Sequence, residues 1–172
     1  VPLFTLPLDT AVGLERTTTQ LIEVEVKDEE YRFGFDKLKR WIDLCKDCGI
    51  EYFEMSHLFS QWGAKYAPKV VAMVDGKEEK IFGWHTPAVG EYTKFLQCFL
   101  PKLTNKLREW EIAEVTYFHI SDEPREAHLE SFKAAKESLG DLLYGFHTFD
   151  ALSSYEFYRH GLIDRPIPGN NE

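Results

Sequence analysis

Long apolar runs are missing from this chain. None approaches the roughly 20 residues needed to cross a bilayer, and the first residues lack the charged, apolar and small-residue zones of a signal peptide. No membrane partner is expected. Clusters of Lys and Arg are missing too, and acidic residues outnumber basic ones 29 to 20. No stripe of positive charge could therefore neutralise a run of phosphates, which argues against nucleic acid as a partner. Glycine-rich phosphate loops are absent, since neither G-x-G-x-x-G nor G-x-x-x-x-G-K-[ST] occurs, and a nucleotide-binding sheet would carry one. Cysteine is scarce, at three residues, which excludes a four-cysteine zinc site. Cys45 and Cys48 form a C-x-x-C, but redox pairs sit at a helix N-terminus, where the dipole lowers the thiol pKa. This pair closes a helix before Gly49, and packing cysteines are the simpler reading. Neither H-x-H nor H-E-x-x-H occurs, so no metal and no cofactor are expected.

What is present is the apolar, aromatic and charged mix of a globular chain, long enough at 172 residues for one substantial core. It opens on Val1 in a segment rich in loop residues, and both ends read as cut from something longer, which leaves the compartment open. Residues 1–19 are Pro- and Thr-rich and read as loop. Residues 19–26 alternate as a strand does, and 31–33 would pair back across a turn at 28–30. From Phe35 helical spacing takes over, with Leu38, Trp41, Ile42, Cys45 and Cys48 on one face and Gly49 as the stop.

A strand over 50–55 follows. Then comes a hairpin over 69–84, signalled by Asp75-Gly76 between apolar runs. Residues 88–110 carry Tyr92, Phe95, Leu96, Phe99, Leu103 and Leu107 at helical spacing, with Pro101 expected to kink the helix. Strands are expected over 115–120 and 142–146, and helices over 125–139 and, capped by Asp150, over 151–160.

Strands alternating with helices call for parallel pairing and right-handed crossovers. The expected fold class is α/β: a segment of a (β/α)8 TIM-type barrel with a β-hairpin insertion after one strand. Eight units need about 250 residues, so four or five fit here. Residues 1–172 would form one partial, incomplete barrel, able to self-associate through its open edge.

Barrel chemistry sits where strands run into the following loops. Those points gather Glu54, Ser56, His57, Gln61 and Trp62; His119, Ser121, Asp122 and Glu123; and His147 and Asp150. Two carboxyl groups suit glycoside cleavage, one protonating the leaving oxygen while the other stabilises positive charge. Asp122 and Glu123 are neighbours, however, and neighbours on extended backbone point apart. They suit substrate-assisted hydrolysis, where a 2-acetamido oxygen is the nucleophile, one carboxylate holds the acetamido nitrogen and the other is the general acid/base.

The bland alternative is that Ser121-Asp122-Glu123-Pro124 is a helix start. Trp62 and Trp84 offer flat faces for a sugar ring, though either could be a core aromatic. Glu54 and His119 lie late on buried strands, where a polar group needs a partner or a substrate hydroxyl. His57, His119 and His147 could equally be core or capped histidines.

The runs Tyr52-Phe53-Glu54-Met55-Ser56-His57-Leu58-Phe59, Gln61-Trp62-Gly63-Ala64, Ile81-Phe82-Gly83-Trp84 and Tyr117-Phe118-His119-Ile120-Ser121-Asp122-Glu123-Pro124 resemble glycoside hydrolase family 123. The opening Pro2-Leu3-Phe4-Thr5 through Leu8-Asp9-Thr10, and residues 35–43, are also similar to its bacterial members. The resemblance implies an (α/β)8 catalytic barrel between β-rich flanking domains. It implies a retaining, substrate-assisted exo-β-N-acetylgalactosaminidase acting on glycans. On that resemblance Asp122 would orient the acetamido group and stabilise the oxazolinium-like intermediate, and Glu123 would protonate the leaving oxygen and then activate water. The residues placed around substrate from strand-end position alone are Glu54, His57, Trp62, Trp84, His119 and His147. Two other readings stay open: a non-catalytic carbohydrate-binding barrel fragment, and a metal-dependent hydrolase using His57, His119 and Asp122.

Overall fold

A computed structural model describes residues 2–3, 12–13 and 20–168. In chain order the elements are β1 (Pro2–Leu3), β2 (Glu23–Lys27), β3 (Glu30–Gly34), α1 (Asp36–Asp47), β4 (Phe53–Met55), β5 (Val70–Val74) and β6 (Lys77–Phe82). Then follow α2 (Glu91–Glu109), β7 (Thr116–Phe118), α3 (Leu129–Leu139), β8 (His147–Leu152), α4 (Tyr155–Arg159) and β9 (Arg165–Pro168).

Five strands make a sheet in the order β1-β4-β7-β8-β9, every neighbouring pair parallel. Strands that neighbour in space in the order they occur in the chain, each pair joined by a crossover, are the wall of a (β/α) barrel rather than of a doubly wound sheet. Among the described residues the wall does not close on itself. The fold is α/β, an unclosed barrel segment.

The other four strands form a second sheet in the order β3-β2-β5-β6. Both of its hairpins turn on two residues with positive φ, Asp28 and Glu29 (51° and 62°) and Asp75 and Gly76 (49° and 79°). That backbone matches the twist of paired strands. Parallel pairing of β2 with β5, Glu25 opposite Met73 and Val26 opposite Val74, joins the hairpins. The expectation of a single hairpin insertion is thus extended: one hairpin follows β1, a second follows β4, and they share a sheet.

Helix α1 buries Leu38, Ile42 and Cys45, the i, i+4, i+7 stripe that its spacing predicts. Cys48 lies beyond that stripe and is exposed, and both thiols are free. Helix α2 runs for 19 residues through Pro101. The carbonyl that proline leaves without a donor belongs to Gln97, on the exposed side, where water can take its place. On the inner side Tyr92, Phe95 and Phe99 stack in sequence. Phe33 and Phe82 of the second sheet meet these rings edge-on or tilted at 5.2–5.7 Å. Burying each such ring contributes about 1.5–3 kcal/mol, and the cluster holds the second sheet to the barrel.

Three expectations are corrected. The strand read at 19–26 is β2, in the second sheet; the first wall strand is β1, inside the segment read as loop, most of which lies outside the described residues. Residues 142–146 are not a strand but lie in three successive tight turns, with Leu142, Tyr144 and Phe146 N–H donating to the carbonyls of Leu139, Asp141 and Leu143. Gly140 and Gly145 supply positive φ there, and the apolar run Leu-Leu-Tyr imitates a buried strand. The true strand therefore starts at His147, so Asp150 lies inside it rather than capping a helix, and the helix expected over 151–160 is the short α4 behind Ser154.

Candidate active site

The loop after β4 and the loop after β7 are sewn together by backbone. Leu58 and Phe59 N–H donate to the carbonyls of His119 and Ile120 at 3.0 Å, and Trp62 N–H donates to Asp122 O at 2.9 Å. These bonds carry the pairing of β4 with β7 past the strand ends. Ser121, fully buried, donates from Oγ to Ser60 O at 2.8 Å. Gln61 Nε2 donates to Asp122 Oδ2 at 2.8 Å.

Those partners bear on the helix-start alternative. The helical turn begins only at Glu126–His128, ahead of α3, without a side-chain cap. Ser121 and Asp122 are directed at the neighbouring loop instead. Glu123 is exposed and holds φ 43°, a left-handed conformation that costs a non-glycine residue about 1–3 kcal/mol and clusters at functional sites. That turn swings Glu123 out of the line of the strand.

The facing loop has similar strain. Trp62 and Ala64 hold φ 58° and 54°, on either side of Gly63 at 120°. Gly63 lies so close to the start of α3 that a Cβ there would stand 2.6 Å from His128 Cβ. Ser131 Oγ donates to its carbonyl at 2.6 Å. This leaves Trp62 45% exposed beside the Asp122 backbone.

Below the carboxylates lies a titratable cluster. His119 Nε2 is 3.3 Å from Glu54 Oε1, an ion-pair contact without good hydrogen-bond geometry, and Nδ1 is 3.4 Å from Asp150 Oδ1. Phe149 lies 4.0 Å from the His119 ring and His57 4.8 Å. Burial alone would depress His119, but Asp150 and Glu54 outweigh it and raise the imidazole to about 9. His57, buried beside that cation, falls to about 4 and is neutral. The His119 imidazolium holds Glu54 below the usual carboxylate range. Burial pushes Asp150 up to about 6 against its hydrogen bonds. Between those limits the cluster is Glu54⁻, His119⁺, Asp150⁻.

The structure thus brings Glu54, His57 and His119 together below Asp122, with Trp62 on the adjoining loop. Trp84, 38% exposed, stands in the turn after β6, and its ring contact is with His85 at 5.8 Å. His147 is placed differently from its sequence expectation. It begins β8, in the row Glu54, Tyr117, His147, stacked on Tyr117 at 5.4 Å with its Nε2 3.5 Å from Arg165. It lies at the N-terminal end of its strand because the turns, not a strand, occupy 142–146. Sequence reasoning passed over Gln61 as an Asp122 partner, and over Asp150 as a buried strand residue; a lone acid in the strand pattern His-Thr-Phe-Asp-Ala-Leu was the available signal.

Among the described residues no group of three or more His, Cys, Asp or Glu is arranged to hold a metal ion, and no helix is long and apolar enough to cross a membrane. A concavity of about 780 Å³ lies elsewhere, along the second sheet beside Gln20, Glu25, Arg32 and Met73.

No curated protein matches the chain. Among solved structures, a family 123 glycoside hydrolase from Clostridium perfringens, analysed for glycolipid glycan hydrolysis, is similar with a TM-score of 0.63 and 17% identity. The likeness covers 90% of this chain and 28% of that one, so this chain spans under a third of that protein's length, and at that identity the likeness concerns the fold. The family model described as the catalytic domain of glycoside hydrolase 123 matches residues 1–172. With an unclosed barrel wall and a strand-end Asp-Glu pair already in place, that match over the whole chain means that it belongs to the glycoside hydrolase 123 catalytic-domain family.

Proposed function

We propose that this chain carries the acid/base centre of a retaining, substrate-assisted glycosidase of the exo-β-N-acetylgalactosaminidase type, acting on the glycans of glycoconjugates. The observation that supports it most is the division between two adjacent carboxylates. Asp122 is half-buried and held by the Gln61 amide, while Glu123 is exposed on left-handed backbone.

A fixed carboxylate suits the acetamido N–H. It aligns the acetamido oxygen on the anomeric carbon and offsets the charge of the oxazolinium-like intermediate. A freely placed one suits proton delivery to the leaving oxygen, followed by removal of a proton from water. Trp62 gives a platform for the sugar ring. Glu54, His57 and His119, with Trp84 further out, would line the rest of the substrate path. Strands β1 and β9 each have one strand neighbour among the described residues, and further barrel strands, or a second copy, would add at their outer edges.

The test uses the full-length protein and an aryl 2-acetamido-2-deoxy-β-galactoside. Glu123→Gln should lower kcat by about 10²–10⁴-fold, the usual weight of a general acid/base. Asp122→Asn should cripple turnover too, and a thiazoline inhibitor should bind. Undiminished activity in Glu123→Gln, or equal turnover of the 2-hydroxy galactoside, would sink the mechanism. Binding without any turnover in the wild-type protein would favour a carbohydrate-binding role.

A further inference from the structure

Asp150 belongs to neither carboxylate role, yet it is the most completely buried acid around the site, at 1% exposure. Its two oxygens are used on three donors. Oδ2 accepts from Ile120 N–H at 3.2 Å; Oδ1 accepts from Ser121 N–H at 3.3 Å and lies 3.4 Å from His119 Nδ1. All three donors belong to the stretch immediately before Asp122. Strand β7 ends at Phe118, so these amides have left the regular ladder and need an acceptor. The acceptor comes from the next strand of the wall.

We propose, resting on the hydrolase reading above, that Asp150 is a positioning residue of this site: it clamps the backbone that delivers Asp122 and Glu123, and through His119 it fixes Glu54. The first action is steric and directional, since two amide bonds set the exit path of the chain and hence the reach of Glu123. The second is electrostatic. Asp150 grips one nitrogen of the His119 ring, so the other faces Glu54, and Glu54 stays ionised with a side chain 41% exposed. An ionised, oriented carboxylate at that place can accept hydrogen bonds from sugar hydroxyls. The charged and titratable groups facing His119 are Asp150 from β8, Glu54 from β4 and His57 from the loop after β4; Asp122 in turn acts on His57.

Asp150→Asn in the full-length protein keeps the shape but offers one acceptor oxygen and two donors where three donors already converge. Displacing the Asp122-Glu123 backbone by as little as about 1 Å should lower kcat on the order of 10²-fold, with KM little changed. His119, followed by NMR of its imidazole, should lose its proton at lower pH than in wild type. Packing damage alone would lower activity without moving that titration. Wild-type kcat together with an unmoved His119 titration in Asp150→Asn would overturn the proposal. If that variant does not fold, His119→Gln decides, because it leaves the amide clamp and removes the bridge. The Glu54 carboxyl, followed by NMR, should then titrate at higher pH than in wild type, and an unmoved Glu54 would overturn the proposal. The titration also stands independently of turnover: His119 in the wild-type protein losing its proton at or below its ordinary pKa would refute the bridge even if the protein hydrolysed nothing. Absence of turnover in the wild type would instead count against the hydrolase reading.

Discussion

Replacing Gly63 with Ala puts a methyl group where the chain leaves no room for one. At φ 120° an L-residue has no comfortable conformation, which costs about 1–3 kcal/mol. The added carbon would meet His128 Cβ at 2.6 Å and Cγ at 2.7 Å, against an optimal carbon separation of about 3.5–4.0 Å. Neither atom is the end of a flexible side chain, so the backbone must give by nearly 1 Å. Overpacking of that kind costs about 1–3 kcal/mol. The two effects together predict a loss of about 2–6 kcal/mol, read as urea unfolding of the full-length protein followed by tryptophan fluorescence.

Activity should fall as well, because Trp62 next door donates to the Asp122 carbonyl. The pair Gly63→Ala and His128→Gly separates the two causes. Removing His128 Cβ relieves the collision but not the dihedral strain, so the double-mutant cycle should show a favourable coupling of at least about 1 kcal/mol. A Gly63→Ala variant within about 0.5 kcal/mol of wild type, the range of an ordinary surface change, would refute the reasoning; zero coupling would refute the clash.

Gln61→Ala deletes the hydrogen bond to the Asp122 carboxylate, and a bond to a charged group is worth about 1.5–3 kcal/mol. Turnover should fall roughly 10–100-fold, and a change below twofold would show that Asp122 needs no such support. The raised His119 also predicts how stability varies with pH. A group whose folded pKa lies above its unfolded value stabilises fully below the unfolded one, here 6.5, and that contribution is lost as pH rises through about 9. Up to about 3 kcal/mol should disappear over that window, and His119→Gln should abolish the loss in the same urea titration. A wild-type curve that is flat from 6.5 to 9 would contradict the ion pairs.

Much of the wall was legible because its signals are local. The stripe Leu38, Ile42, Cys45 and the two-residue turn Asp75-Gly76 fix helix and hairpin through periodicity and backbone permission alone. The strand assigned to 142–146 failed because an apolar run interrupted by glycine fits a strand and a series of turns equally, and only hydrogen bonding separates them. The parallel meeting of β2 with β5 joins residues about 50 apart and leaves no local trace. At the site, Asp122 and Glu123 stood out by adjacency and strand-end position. What distinguishes them, the Gln61 amide on one and the left-handed turn under the other, is tertiary. Asp150 was misread because an acid between an expected strand and a helical pattern looks like a cap until the register of β8 is known.

The pairing of β2 with β5 also constrains how this fold can vary. Loops on a barrel rim are usually free to lengthen, shorten or move one at a time, and that freedom is how one scaffold accommodates many ligands. Here two successive connections share a hydrogen-bonded ladder, so an insertion in one shifts the register of the other, and neither can swing without tearing strands apart. Variation on this side of the molecule is therefore confined to turn tips and outward side chains, and any motion must carry both hairpins as one body.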